Sequence, residues 1–236
     1  MVKKLFALFF CFYAGVVCAA CPLADVYLKT DNKKEIFNEH KACARQLNNF
    51  ESQFYIGTIY LNGTDYAKQN LRMAYKYFRM SAENGYAPAQ RELAKLIDAL
   101  EDMGPDGKQA LDELENRWAA ENNSNREPLS ALAWMMLAAE RAENKWFYNA
   151  PAIADEQAIS LLASFKKGNT KQAEQQAVAF KQEKLMQQAK RLLSDSAYRD
   201  FESVIYPEKQ KKSVPIQMTK AQAIENLKKY KMSIKK

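Results

Sequence analysis

The sequence predicts an all-α protein, and three observations carry that prediction. Apolar residues recur at three-to-four spacing along most of the 236 residues, and the chain holds only seven glycines. No stretch alternates β-branched and polar residues as a half-buried strand would. Prolines stand between the periodic stretches, at Pro105, Pro128, Pro151, Pro207 and Pro215, where a missing N–H ends one helix or begins another. Without its first 20 residues the chain is still long enough for one extended helical domain.

Residues 1–20 read as a secretory signal. Lys3 and Lys4 form a basic start, residues 5–17 an apolar run of 13, and Cys18-Ala19-Ala20 a small-residue cleavage site. The competing reading is a membrane anchor, but the run is shorter than the ~18–20 residues that a span requires. No later segment is apolar enough to cross a bilayer. The mature chain is therefore expected in an exported space, and the short lysine-headed signal points to a bacterial periplasm.

Cleavage removes Cys11 and Cys18 and leaves Cys21 and Cys43. An even pair in an oxidising compartment is read first as a disulfide, here one that staples the new N-terminus to the first mature helix. The alternative is a lipoprotein anchored through an acylated Cys21. Ala19 and Ala20 fit a lipobox, whereas Cys18 does not. Cys43 belongs to the stripe Ile36, His40, Cys43, Leu47, which marks the inward face of that helix. His40 is the only histidine, and its place on the stripe predicts a structural residue with its hydrogen bonds made.

Two helices follow, over residues 50–62 and 71–83. The first carries Phe54, Gly57, Ile59 and Tyr60 on one face, then Gly63 where a left-handed cap is wanted. Gly57 costs about 1 kcal/mol in a helix interior relative to Ala, and a close helix–helix approach is the usual reason to keep it. The second helix turns Ala74, Tyr77, Phe78 and Ala82 inward and ends at Gly85, with Ala89 and Leu93 beginning another. Written together, the stretch is Phe54-x2-Gly57-x2-Tyr60-x2-Gly63, then Ala74-x2-Tyr77-Phe78-x2-Ser81-Ala82-x2-Gly85-x3-Ala89-x3-Leu93. It resembles the Sel1-like repeat, a helix–turn–helix unit of about 36 residues related to the tetratricopeptide family. The resemblance implies a short α-solenoid that binds other macromolecules, with these residues packing helix on helix.

A single hairpin cannot bury its own apolar face, so further units are expected. Ala131-x2-Trp134-Met135-x2-Ala138-Ala139 repeats the second-helix pattern 57 residues after Ala74. The excess over one period falls on residues 104–125, which begin Gly104-Pro105-Asp106-Gly107 and continue as a charged helical run through Trp118, so an inserted helix is predicted there. Residues 171–193 predict a long helix capped at Thr170, with Ala173, Ala177, Phe180, Leu185, Ala189 and Leu192 inward, closing the array.

Residues 208–236 hold nine lysines against Glu208 and Glu225. Of the formal net charge of +7, the signal carries +2 and this tail +7, which leaves residues 21–207 at −2. The basicity is a property of the tail. Such a tail either solvates the chain end or binds anionic lipid or polysaccharide, and export argues against nucleic acid. A last short amphipathic helix from Thr219, with Ile224, Leu227 and Tyr230, either docks on the body or lies on a membrane surface.

No Gly-rich phosphate loop, zinc-ligand spacing or Gly-x-Ser-x-Gly elbow is present, and His40 has no partners for a triad. The acidic pairs Glu101-Asp102 and Glu113/Glu115 read as solvated helix faces. The expectation is a non-enzymatic protein without metal or cofactor. Its role would be that of a periplasmic adaptor or scaffold holding another envelope protein, in secretion, motility or toxin immunity as the resemblance implies. The alternative is a cell-wall or membrane-associated factor held by its tail. Trp118, Trp146, Phe147 and Tyr148 lie near turns and are the candidate partner-binding aromatics.

Overall fold

The computed structural model describes Cys21, residues 32–140, 155–165 and 169–206, and Ile224. These residues hold nine helices and no strand. In chain order they are α1 (Lys33–Gln46), α2 (Phe50–Asn62), α3 (Leu71–Glu83), α4 (Ala87–Asp102), α5 (Pro105–Asn122), α6 (Ala131–Ala139), α7 (Glu156–Leu161), α8 (Thr170–Leu192) and α9 (Asp195–Ile205). The helices predicted over residues 50–62 and 71–83 form with those bounds, and the residues predicted as an insertion form α5.

Short polar side chains start the helices. Asn49, Asn70 and Ser130 accept from the backbone N–H three residues on in α2, α3 and α6. For α8 that cap is Asn169, which accepts from Gln172 N–H at 3.1 Å, one residue before the predicted Thr170. Gly85 closes α3 at φ +87°: its N–H donates to Ala82 O and that of Tyr86 to Ser81 O, two bonds that satisfy carbonyls the helix leaves open.

Helices next to each other in sequence pack together from α1 to α5. The chain then skips, because α6 packs mainly on α4, with α5 set beside α4 and touching α3. α6 is apolar on nearly every side and lies against α4, α7 and α8, with Trp134, Met135 and Ala138 fully buried. A large apolar cluster runs from α3 to α9, and a smaller one, including Phe37, Ile56, Ile59 and Tyr77, joins α1 to the α2–α3 pair.

Most of the packing residues read from the sequence lie inside the protein. Ala74, Phe78, Ala82, Ala89, Trp134 and Ala138 are wholly buried, Gly57, Tyr77 and Ala131 nearly so, and Tyr60 and Ala139 are half-buried against the core. Gly63 takes φ +72° and donates to Ile59 O at 2.9 Å. A Cβ on Gly57 would stand 2.6 Å from Phe78 Cδ1 and 2.8 Å from its Cε1. Since Phe78 has no free space to swing into, we expect Gly57→Ala to lower stability by about 1–2 kcal/mol by urea denaturation, the clash outweighing the helix-propensity gain. An unchanged or higher midpoint would show that the two helices can separate at no cost.

Three expectations are corrected. Leu47 is not on the inward stripe of α1: it follows the last turn and is 63% exposed. The helix over residues 170–192 does not end the array, because α9 follows and buries Phe201 and Ile205 against the larger cluster. Glu115 is not on a solvated face. The N-terminal signal, the residues 141–154 and the tail except Ile224 lie outside the described residues. Ile224 is helical, half-buried and packed against the larger cluster.

Candidate functional site

Three polar side chains on α3, Tyr75, Arg79 and Glu83, follow one another at four-residue spacing and so share one side of the helix. That side meets α5, the segment before α6, and α8. The Arg79 guanidinium, 2% exposed, donates from Nη1 to Glu115 Oε1 at 2.9 Å and to Tyr75 Oη at 3.1 Å, and from Nε to Glu83 Oε1 at 3.0 Å. The Tyr75 hydroxyl also donates to Glu115. The flat faces of Trp134 and Trp118 lie 5.0 and 5.7 Å from the guanidinium carbon.

Glu83 is the second node. It accepts from Arg79, from Arg126 Nη2 at 2.6 Å and from Lys184 Nζ at 2.9 Å. Burial alone would raise its pKa, but Lys184, Arg79 and Arg126 outweigh it and hold the carboxyl down to about 2. The folded value lies below the ordinary one, so Glu83 stabilises the fold above pH 4.5 and loses that contribution as pH falls towards 2. Arg126 also pairs with Glu183 at 3.1 Å and, with Lys184, lies over the Phe180 ring.

In front of this network opens a groove of about 350 Å³. One side is a single face of α8, where Lys184, Gln187, Gln188 and Arg191 recur at helical spacing. Opposite stand the C-terminal ends of α3 (Met80, Glu83, Asn84) and α5 (Trp118, Asn122), with Asn48 from the α1–α2 turn. Asn48, held at φ +49°, and Asn84 exchange carboxamide hydrogen bonds at 3.2 and 3.3 Å, which ties the turn to the end of α3. Gln53 joins them, donating to Asn48 Oδ1 at 2.6 Å and accepting from Asn84. Lys184 is engaged by Glu83, whereas Arg191 is exposed and has no ion-pair partner among the described residues. The groove is polar, amide-lined and one cation in excess.

Of the candidate aromatics, Trp118 is 7% exposed and belongs to the core, and its remaining edge lines the groove. Trp146, Phe147 and Tyr148 lie outside the described residues. The charged network and the groove carboxamides were missed in the sequence. Their signal was the polar stripe Tyr75, Arg79, Glu83 beside an apolar face, and a matching stripe on α8.

Away from the groove, Cys21 and Cys43 stand at disulfide distance, with Cα atoms 5.8 Å apart. One turn before Cys43, His40 is wholly buried between α1 and α2. Its Nδ1 bonds Ser52 Oγ at 2.9 Å and its ring lies 4.2 Å from that of Tyr55. Nε2 has no hydrogen-bond partner among the described residues, so the expectation of a fully satisfied histidine holds for one nitrogen only. Burial drives its pKa down to about 4. The unfolded chain then binds a proton from pH 6.5 downwards that the folded chain refuses until about 4. Stability is full above pH 6.5 and falls between those values. We expect a loss of roughly 2 kcal/mol in urea melts between pH 7 and 4.5, absent in His40→Gln. Parallel pH profiles for the two proteins would count against it.

Among the described residues no group of three or more His, Cys, Asp or Glu side chains could hold a metal ion, and no helix is long and apolar enough to cross a membrane. No protein-family model, curated protein or solved structure matches the chain.

Proposed function

We propose that this protein is an exported bacterial adaptor of the Sel1-like kind, a short α-solenoid that holds another envelope protein in the periplasm. The groove is the observation that carries the reading. It is open, it is walled by three helices distant in sequence and by the α1–α2 turn, and a buried charge network fixes its rear wall. Such a surface recognises; it presents no nucleophile beside a base. The helix pairs α2/α3 and α4/α6, whose second members share one side-chain pattern, support the repeat reading, with α5 as the insertion. Cysteines at disulfide distance fit an oxidising compartment.

A photo-crosslinking residue at Gln187, on the open side of α8, tests the proposal in living cells. One recurrent protein adduct is expected, and no adduct at Gln187 across growth conditions would overturn it. The second reading, a cell-wall or membrane-associated factor, draws on the Lys-rich residues 208–236. It requires that salt, or removal of those residues, release the protein from isolated envelopes, since attraction to anionic surfaces is screened within a Debye length. The half-buried Ile224, packed on the body, favours docking of the last helix on the protein over insertion into lipid.

A further inference from the structure

We infer that the groove takes an extended acidic peptide segment, with Arg191 receiving one of its carboxylates. The inference rests on the reading of the groove as the binding face and names the chemistry of what enters it.

Of the ten residues that line the groove, only Met80 and Trp118 are apolar, and Trp118 is almost covered by its neighbours. An amphipathic helix, which binds through apolar anchors at one-turn spacing, finds no pockets here. A sugar ring finds no open aromatic face on which to stack. What the walls offer instead is carboxamides. Those of Asn48 and Asn84 are bonded to each other and to Gln53. The exposed Asn122 and Gln187, on opposite walls, each give one N–H to their own helix, to Trp118 O and Glu183, and keep the rest of the group for a ligand. Each has a donor and an acceptor on one planar group, the same pair that a peptide unit presents along an extended backbone.

Charge sets the side chain. Glu83 is already met by Arg79, Arg126 and Lys184, and Arg126 also holds Glu183. Arg191 is left over, two turns along α8 from Lys184 and on the same face. Its planar fork suits a carboxylate better than a lysine would. On the opposite wall the carbonyls of Met80, Ser81 and Ala82, at the end of α3, are already bonded. It is the Asn122 carboxamide oxygen, which accepts no hydrogen bond among the described residues, that can take an N–H donor. A ligand that must offer an N–H to one wall and a carboxylate to the other is an acidic peptide.

The test uses the full-length mature protein and two fluorescein-labelled ten-residue peptides, alternating Glu with Ser and Gln with Ser, read by anisotropy. The Glu peptide should bind at least tenfold more tightly. Arg191→Ala should erase that preference, and Arg191→Lys should keep only part of it. Equal binding of the two peptides overturns the inference. So does a preference that survives in Arg191→Ala, because the acids would then sit on the Lys-rich tail. A groove indifferent to both peptides that takes trigalacturonate would be a sugar site, which also overturns it. If the Gln187 crosslink captures a protein through a segment without acids, the adaptor reading stands and this inference falls.

Discussion

Replacing Arg79 with methionine is expected to cost about 3–5 kcal/mol, or to prevent folding outright, because it strips a buried carboxylate of its cation. The unbranched thioether of methionine, four heavy atoms long, fills much of the space between Trp118 and Trp134, so the loss tracks charge more than volume. Glu115, which is nearly buried, then keeps only the Tyr75 hydroxyl. Glu83 fares better, since Arg126 and Lys184 still hold it. The two carboxylates thus predict a pattern that a simple cavity does not. Arg79→Met combined with Glu115→Gln should recover a good part of the loss, whereas Arg79→Met combined with Glu83→Gln should recover little, because that change also abandons two cations. Urea denaturation of the three variants at neutral pH decides it. If both double variants are equally unstable, the network acts by packing and the electrostatic account is wrong.

Loss of the link between Cys21 and Cys43 comes next in size. Closing a loop of 22 residues removes conformational freedom from the unfolded chain worth ~3 kcal/mol, and Cys43→Ser should lower stability by about that much under oxidising conditions. In reducing buffer the wild type and the variant should converge, because neither chain is then crosslinked. The mass of the protein purified from the envelope separates the alternatives at Cys21. A diacylglycerol adduct, or two thiols that alkylate without prior reduction, would refute the bond.

The fold was largely legible in the sequence and the groove was not, for one physical reason. Periodic apolar positions and small residues report local geometry. Gly57, Ala74, Phe78 and Gly85 could therefore be placed from spacing alone, down to the ends of α2 and α3. Even α5 announced itself as a helix, because Ala131 and Trp134 match the spacing of Ala74 and Tyr77 far enough along the chain to leave room for it. Charged side chains carry no such signature. Glu115 in α5 looks like any acid on a solvated helix until Arg79, 36 residues earlier, is brought to it. Lys184 reaches Glu83 across 101 residues, a contact that no local pattern encodes. Short elements were lost for a related reason: α7 has six residues, too few to show a period.

The placement of α5 also limits what could be exchanged as a module. In a regular array each hairpin meets only its neighbours, so whole units can be added, removed or shuffled with little harm to the rest. Here α5 supplies Glu115 to α3, while α8 supplies Lys184 to that same helix from much further along the chain. Cutting α5 out as an embellishment would leave Arg79 without its nearly buried acid, and cutting before α8 would leave Glu83 one cation short. The linked ion pairs of this network run from Arg79 to Lys184. Their buried charges make α3, α5 and α8 one indivisible piece.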